Sequence, residues 1–527
     1  MTKWEMKLVP VIAIAIGASG CTLVHGFGEF SDEEADAGQA GTDAGRRDAQ
    51  VPPDAETPVD SGPRTDGGPA DGGPPDAGPL DGGPPDGGPP DAGPLDGGPP
   101  PDPVWEPFIR IGQDDSADEV NNSEPRVAIS RNGTALVIYY DNGDVWVRRY
   151  VHATRTFEPL HRVSETSSQG ANPRVAMDDD GNAVVAWRGT TANPSIYVRR
   201  FEASLGWPGG WSAIEEAQPP EGTGRSYNLS SLDMTTDGHI VVAWSAWIYS
   251  PSPAVDRAYL RLYVRGSGWA PRVVVSGAST SSSGIAAGVA RIGTTLRVPV
   301  AWTERIGTTL GMRGAIYSYD LTAGSGSLGS STLLESSTFD ALAPRMGVDA
   351  AGDATLLFSL RRSGSGGDVK VVRHTGGAWS SASAFNPDGS LGYDPVLSVA
   401  DSGEALVVWR ECSPCKLVAR QLTGGAGRPG LQGTSADPGY TAAAVRDDGR
   451  AIAVWSQPMA GVPSIFGSEL GALGWTAPQP LEDESSAFHG SMADVAFGPQ
   501  FGLPVWQREA DGVGGLMFRK IAGALFR

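Results

Sequence analysis

One motif recurs along most of the chain: an apolar strand, a turn built on Asp-Gly, Asn-Gly or Ser-Gly, and a second apolar strand that ends in an aromatic residue. PRVAISRNGTALVIYY begins at Pro125, PRVAMDDDGNAVVAW at Pro173, SSLDMTTDGHIVVAW at Ser230, APRMGVDAAGDATLLF at Ala343, DPVLSVADSGEALVVW at Asp394 and TAAAVRDDGRAIAVW at Thr441. Looser copies begin at Gly288 and Ala493. The closing aromatics are Tyr139, Trp187, Trp244, Trp302, Phe358, Trp409, Trp455 and Trp506, spaced 46 to 58 residues apart. A unit of this size cannot bury an apolar face by itself and must stack on its neighbours.

Within each copy the apolar residues recur with period 2, which specifies strands. A third strand follows in VWVRRYV, SIYVRRFE, AYLRLYV, VKVVRH and LVARQL. A fourth is expected to open with Gly-Trp, at Gly206-Trp207, Gly268-Trp269 and Gly474-Trp475. No long amphipathic helix is visible. Four antiparallel strands repeated at this period specify an all-β fold, a β-propeller. The eighth copy stops after its third strand, in GLMFRKIAGALFR, while VWEPFIRIG at residues 104–112 stands alone ahead of the first copy. That orphan is expected to supply the missing fourth strand and close a ring of eight four-stranded blades, leaving no open sheet edge. The marker aromatics are expected to fill the space between blades.

Residues 66–100 are seven pentads of the form Asp-(Ala/Gly)-Gly-Pro-x. Glycine is costly to order, proline donates no backbone hydrogen bond and the regularly spaced carboxylates repel, so no core forms there. About 80 such residues span on the order of 50 Å as a flexible coil and roughly 250 Å as polyproline II. The net charge of −21 is concentrated in this region. Residues 1–103 carry 19 acidic and 5 basic side chains, a net of −14, which leaves −7 for residues 104–527. A mildly acidic globular part lacks the basic face that nucleic acid requires. The chain therefore divides into a signal peptide at 1–20, a disordered tether from Cys21 to 103, and the propeller at 104–527. It is expected to be a monomer.

Lys3 and Lys7 precede an apolar run from Leu8 to Ile16, followed by Ala18-Ser19-Gly20-Cys21. The run is a signal-peptide core, too short to span a bilayer. Its ending resembles the lipobox of bacterial lipoproteins, although Ala18 stands where leucine is usual. That resemblance implies lipidation of Cys21, membrane contact through the anchor, and display on the bacterial cell envelope, at the outer membrane. The alternative is an ordinary secretory signal. Cys412 and Cys415, in CSPC, read as a local disulfide in an exported protein, with a free or metal-binding pair and a redox pair as alternatives.

Asp178-Asp179-Asp180-Gly181 invites a calcium reading, with Asp178 and Asp180 as ligands. The other copies hold different polar residues at this position, so the reading preferred is a hairpin turn, and no cofactor is expected. The six histidines show no metal-ligand spacing, and neither a G-x-S-x-G elbow nor a Walker A loop occurs. An arginine set stands out. Arg126, Arg174 and Arg345 each follow a proline at the start of a first strand, and Arg188 and Arg410 follow the marker tryptophan. Arg305 and Arg508 come two or three residues after theirs. First-strand starts and second-strand ends share one face of a propeller, so these guanidinium groups are expected around the axial mouth. There they would suit a carboxylate or sulfate, or else pair with neighbouring acids.

The repeat is similar to the VAVDAAGNAVAVW-type repeats of secreted bacterial proteins grouped with the sialidase-like propellers. The similarity covers residues 104–527. It departs from true sialidases, whose Asp-boxes lie between third and fourth strands and whose propellers are typically six-bladed. PFIRIG at residues 107–112 is similar to their FRIP segment, but Gly112 replaces the closing proline. No tyrosine–glutamate pair is identified, so the resemblance transfers no catalytic residue. The function expected is recognition of a protein or glycan ligand, with a glycan-active enzyme on an anionic sugar, or a purely structural envelope role, as alternatives.

Overall fold

The computed structural model describes residues 105–112, 123–190, 194–219, 225–249, 254–277, 284–363, 366–386, 390–412, 415–422, 431, 438–459, 462–482, 489–511 and 517–527. Cys21, the signal peptide and the tether lie outside them. Every repeat folds as an antiparallel up-and-down sheet. In the second, Gly170–Met177, Ala183–Gly189, Ile196–Phe201 and Glu215–Gln218 pair in order. The third repeats the plan with Arg225–Met234, Ile240–Ile248 and Val255–Val264, then a fourth strand split into Gly268–Trp269 and Val273–Val274. One pair, Gly367 with Gly392, joins the fifth and sixth repeats, so the hydrogen bonding resolves into seven sheets.

The first strands of successive repeats lie side by side, and the cycle closes where Ser123–Ile129 meets His489–Phe497. The apolar core follows the same cycle. Each cluster joins one repeat to the next, as Val184 and Ala186 of the second join Val242 and Trp244 of the third. Another joins Phe501 and Leu503 of the eighth to Val137 and Tyr139 of the first. Tyr139, Trp187, Trp244, Trp302, Phe358, Trp409, Trp455 and Trp506 are all at most 2% exposed and fill these spaces. Each such side chain stabilises the packed state by roughly 1.5–3 kcal/mol. The fold is a β-propeller.

The N-terminal segment closes the ring. Ile109 and Arg110 pair with Gly523 and Ala522 of Met517–Gly523, and Trp105 bridges to Phe526. Ile111 is fully buried beside Val127, Leu503 and Ile521. First strands of neighbouring repeats share no ladder, so side chains satisfy their inner N–H groups. Asp494 Oδ2 accepts from Val127 N at 3.1 Å, Asp233 Oδ2 from Val289 N at 2.8 Å and Ser398 Oγ from Val445 N at 3.0 Å.

Two expectations are corrected. Gly206-Trp207 does not open a strand: the second repeat makes an excursion there, and its fourth strand starts at Glu215. Trp207 and Trp211 instead pack on Phe201, with Trp211 also stacked on His161. Arg508 does not reach the mouth. It is 5% exposed on its side chain, paired with Glu482 at 3.2 Å and laid over the Phe108 ring of the closing segment. Among the described residues no helix is long and apolar enough to cross a membrane.

Candidate functional site

A recurrent backbone device prepares the mouth. Near the start of the first strand a residue adopts positive φ: Glu124, Asn172, Ala343, Asp394, Tyr440 and Met492, in six of the eight repeats. None is glycine, so the conformation is costly and marks a place the surrounding fold enforces. It coincides with a register shift in the pairing of first and second strands. The bulge re-aims the residue two positions later. That residue is Arg126, Arg174, Arg345, Val396, Ala442 or Asp494, and in each repeat it pairs with the position before the marker aromatic. The three arginines therefore stand at one level of the ring.

They line a cavity of about 510 Å³ together with Asp394, Arg410, Tyr440 and Asp494, with Leu232, Val396 and Leu397 among its apolar lining. Four arginines face two aspartates there. Arg410 pairs with Asp394 at 3.3 Å and lies over the Tyr393 ring. Arg345 Nε donates to Pro395 O at 3.1 Å, and Arg126 Nη1 to Pro125 O at 3.2 Å. Arg174 keeps a partial surface toward the cavity, yet protein surrounds it. Its Nε is buried and meets no acceptor, and among the described residues its guanidinium forms no hydrogen bond or ion pair. Burial, then the repulsion of Arg126 and Arg345, lowers its pKa to about 9, against the attraction of Asp494 and Glu124. The same causes, burial first and Arg126 second, lower that of Arg345. Arg126 thus senses both a neighbouring repeat and one four repeats away. These charges repel one another across the axis.

Arg188 lies outside the cavity lining, opposite Ala171 and within electrostatic reach of Tyr140. Arg305 sits at the exposed tip of the hairpin in the fourth repeat. Sequence reasoning missed Asp394, Tyr440 and Asp494. Asp394 and Asp494 occupy bulge positions that hold asparagine or arginine in other copies, so no shared residue type marks them.

At the opposite end of the axis the hairpin turns converge. Asp178 accepts from Asp180 N, Asn182 N and Asn182 Nδ2 at 3.1, 2.8 and 2.8 Å, and Gly181 takes φ 86°. The carboxylate of Asp178 is spent on its own turn. Arg131 of the first repeat reaches Asp179 of the second at 3.4 Å, Asp401 of the sixth at 2.5 Å and Asp447 of the seventh at 3.3 Å. This clasp crosses the axis. Among the described residues no group of three or more His, Cys, Asp or Glu side chains is placed to hold a metal. Cys412 and Cys415 form a disulfide beyond Arg410, at the end of Ala405–Cys412, with Cα atoms 3.6 Å apart.

No family model matches the chain, and no curated protein does. Solved structures similar to it include the Dos1 propeller, at 10% identity and TM-score 0.43, covering 80% of this chain and 95% of that one. A PL25 polysaccharide lyase, an ulvan lyase, is similar at 14% identity and TM-score 0.41, covering 68% and 93%. The Hadza microbial sialidase Hz136 is similar at 17% identity and TM-score 0.33, covering 57% and 66%. The fold itself stands on the strand register and ring closure described above.

Proposed function

We propose that this chain is an envelope lipoprotein, anchored through Cys21, that displays an eight-bladed propeller on an acidic tether and binds an anionic glycan or protein group at the arginine mouth. The observation that carries this reading is Arg174. A buried Nε without an acceptor, on a guanidinium that Arg126 and Arg345 repel, is costly, and a bound carboxylate or sulfate would supply the missing partner. Forked guanidinium donors on Arg126, Arg174 and Arg345 suit such a group, because each can offer two parallel hydrogen bonds. The test is binding of the full chain to a panel of acidic and neutral glycans, beside the Arg126→Ala/Arg174→Ala/Arg345→Ala variant. Acid-selective binding lost in the variant is expected; binding that survives in the variant removes the mouth as the site.

Tyr440, Asp394 and Asp494 share the same cavity, which favours a second reading as a glycan-active enzyme on an anionic sugar. Product release from any acidic glycan that binds, lost in Tyr440→Phe, would support catalysis. Binding without turnover would leave recognition alone.

A further inference from the structure

The third repeat carries the two most exposed aromatic side chains among the described residues, Trp247 at 56% and Tyr249 at 50%. Their ring centroids are 5.7 Å apart. Single exposed apolar residues are ordinary, but two large rings side by side on the ligand-facing end of a propeller are not. Trp247 lies on the strand face that Val241 and Ala243 use to pack on the fourth repeat, by the alternation of Ile240–Ile248. It extends that face toward the hairpin tip. Asp256 stands opposite Trp247 in register, and Arg305, on the hairpin tip of the fourth repeat, attracts it. Opposite charges, Asp256 and Arg305, thus stand beside Trp247.

The position relative to the mouth fixes what they could serve. Leu232 lines the arginine cavity and pairs with Val242, and Trp247 is five residues further along the same strand. At about 3.4 Å per residue that places it roughly 17 Å up the strand. A single sugar in the cavity cannot touch it, whereas a chain of sugars leaving the cavity can.

We infer that the ligand of this mouth is a polymeric acidic glycan, one acidic unit held by the arginines and a later unit stacked on Trp247 and Tyr249. The inference rests on the anion-binding reading. A pyranose presents an apolar C–H face and polar edges, so it gains contact area on an aromatic ring while its hydroxyls stay in water.

The experiment is calorimetric titration of the full chain with galacturonic acid and hexagalacturonate, and with sulfated glucose and sulfated maltohexaose, at fixed ionic strength. For at least one pair the hexamer is expected to bind tenfold or more tighter than the monomer. Trp247→Ala/Tyr249→Ala should abolish that advantage and leave the monomer affinity within twofold, with an unchanged thermal midpoint showing the ring intact. Arg174→Ala should weaken both ligands. Hexamer binding unchanged in the aromatic variant overturns the platform and leaves the mouth standing. No binding of any of the four to the wild type overturns the glycan ligand, and the platform with it, and leaves an acidic protein group as the ligand of the mouth.

Discussion

Replacing Ile111 with alanine tests whether the N-terminal segment is an integral blade strand or an appended strap. Ile111 is 0% exposed and packs among residues of both the first and eighth repeats. Its N–H donates to Ile521 O at 2.9 Å. Alanine removes three carbons, about 2.4 kcal/mol at roughly 0.8 kcal/mol per buried methylene. The cavity left behind brings the expected loss to about 3 kcal/mol, within the usual range for such truncations. Ile138→Ala is the reference, because Ile138 is equally buried in the middle of the first repeat. Equilibrium urea unfolding followed by tryptophan fluorescence should show both variants losing similar stability in one transition of unchanged slope. If Ile111→Ala shifts the midpoint by less than a quarter of the Ile138→Ala shift, the segment does not carry the closure. A separate early transition in the wild type would refute the reasoning as well.

Arg131→Ala should lower the thermal midpoint at low salt, and the loss should shrink as sodium chloride approaches about 1 M. Its pairs are between about a third and a half exposed, so the clasp contributes only about 1 kcal/mol, and a salt-independent loss would show that its role is not electrostatic. Asp233 gives a pH dependence. Burial raises its carboxyl to about 6 although Val289 N and Met234 N donate to it. With the folded pKa above the unfolded 3.8, its contribution is fully present below that value and is lost as pH rises through about 6. The span corresponds to on the order of 3 kcal/mol. Asp233→Asn should flatten the stability profile between those two pH values, measured by urea midpoints. An unaltered slope assigns the profile to other groups.

The propeller was legible because its signals are local and repeated. Period-2 strands, Gly-bearing turns and a spaced aromatic recur often enough for drifted copies such as GVARIGTTLRVPVAW to be recognised. Closure was legible from a shortage, an eighth copy without a fourth strand and an orphan ahead of the first. The arginine level was half legible. Arg126, Arg174 and Arg345 share a sequence position and do share a cavity, whereas Arg508 follows its tryptophan at a similar spacing and is drawn into the core by Glu482 and Phe108. Contacts across the axis were not legible at all. Arg131 and Asp401 are 270 residues apart, and only the diameter of the ring brings them together. The excursion at Trp207 was misread because Gly-Trp is a strand opening in the third and seventh repeats and a packing anchor in the second.

The closure has a mechanical side. Any load applied through the residues before 105 would reach the ring through the segment that completes it. The attachments that resist include Glu106 N to Leu525 O at 2.8 Å, Glu106 to Arg527 at 2.5 Å, the pairing of Ile109 and Arg110 with the last strand, Ile111 N to Ile521 O at 2.9 Å and the Trp105–Phe526 bridge. A load along that strand would set these bonds in shear, sharing the force among them. A load across it would break them one at a time, like a zip. In either direction a load arriving from the N-terminal side meets the seam between the closing segment and the last strand before it meets any internal hairpin.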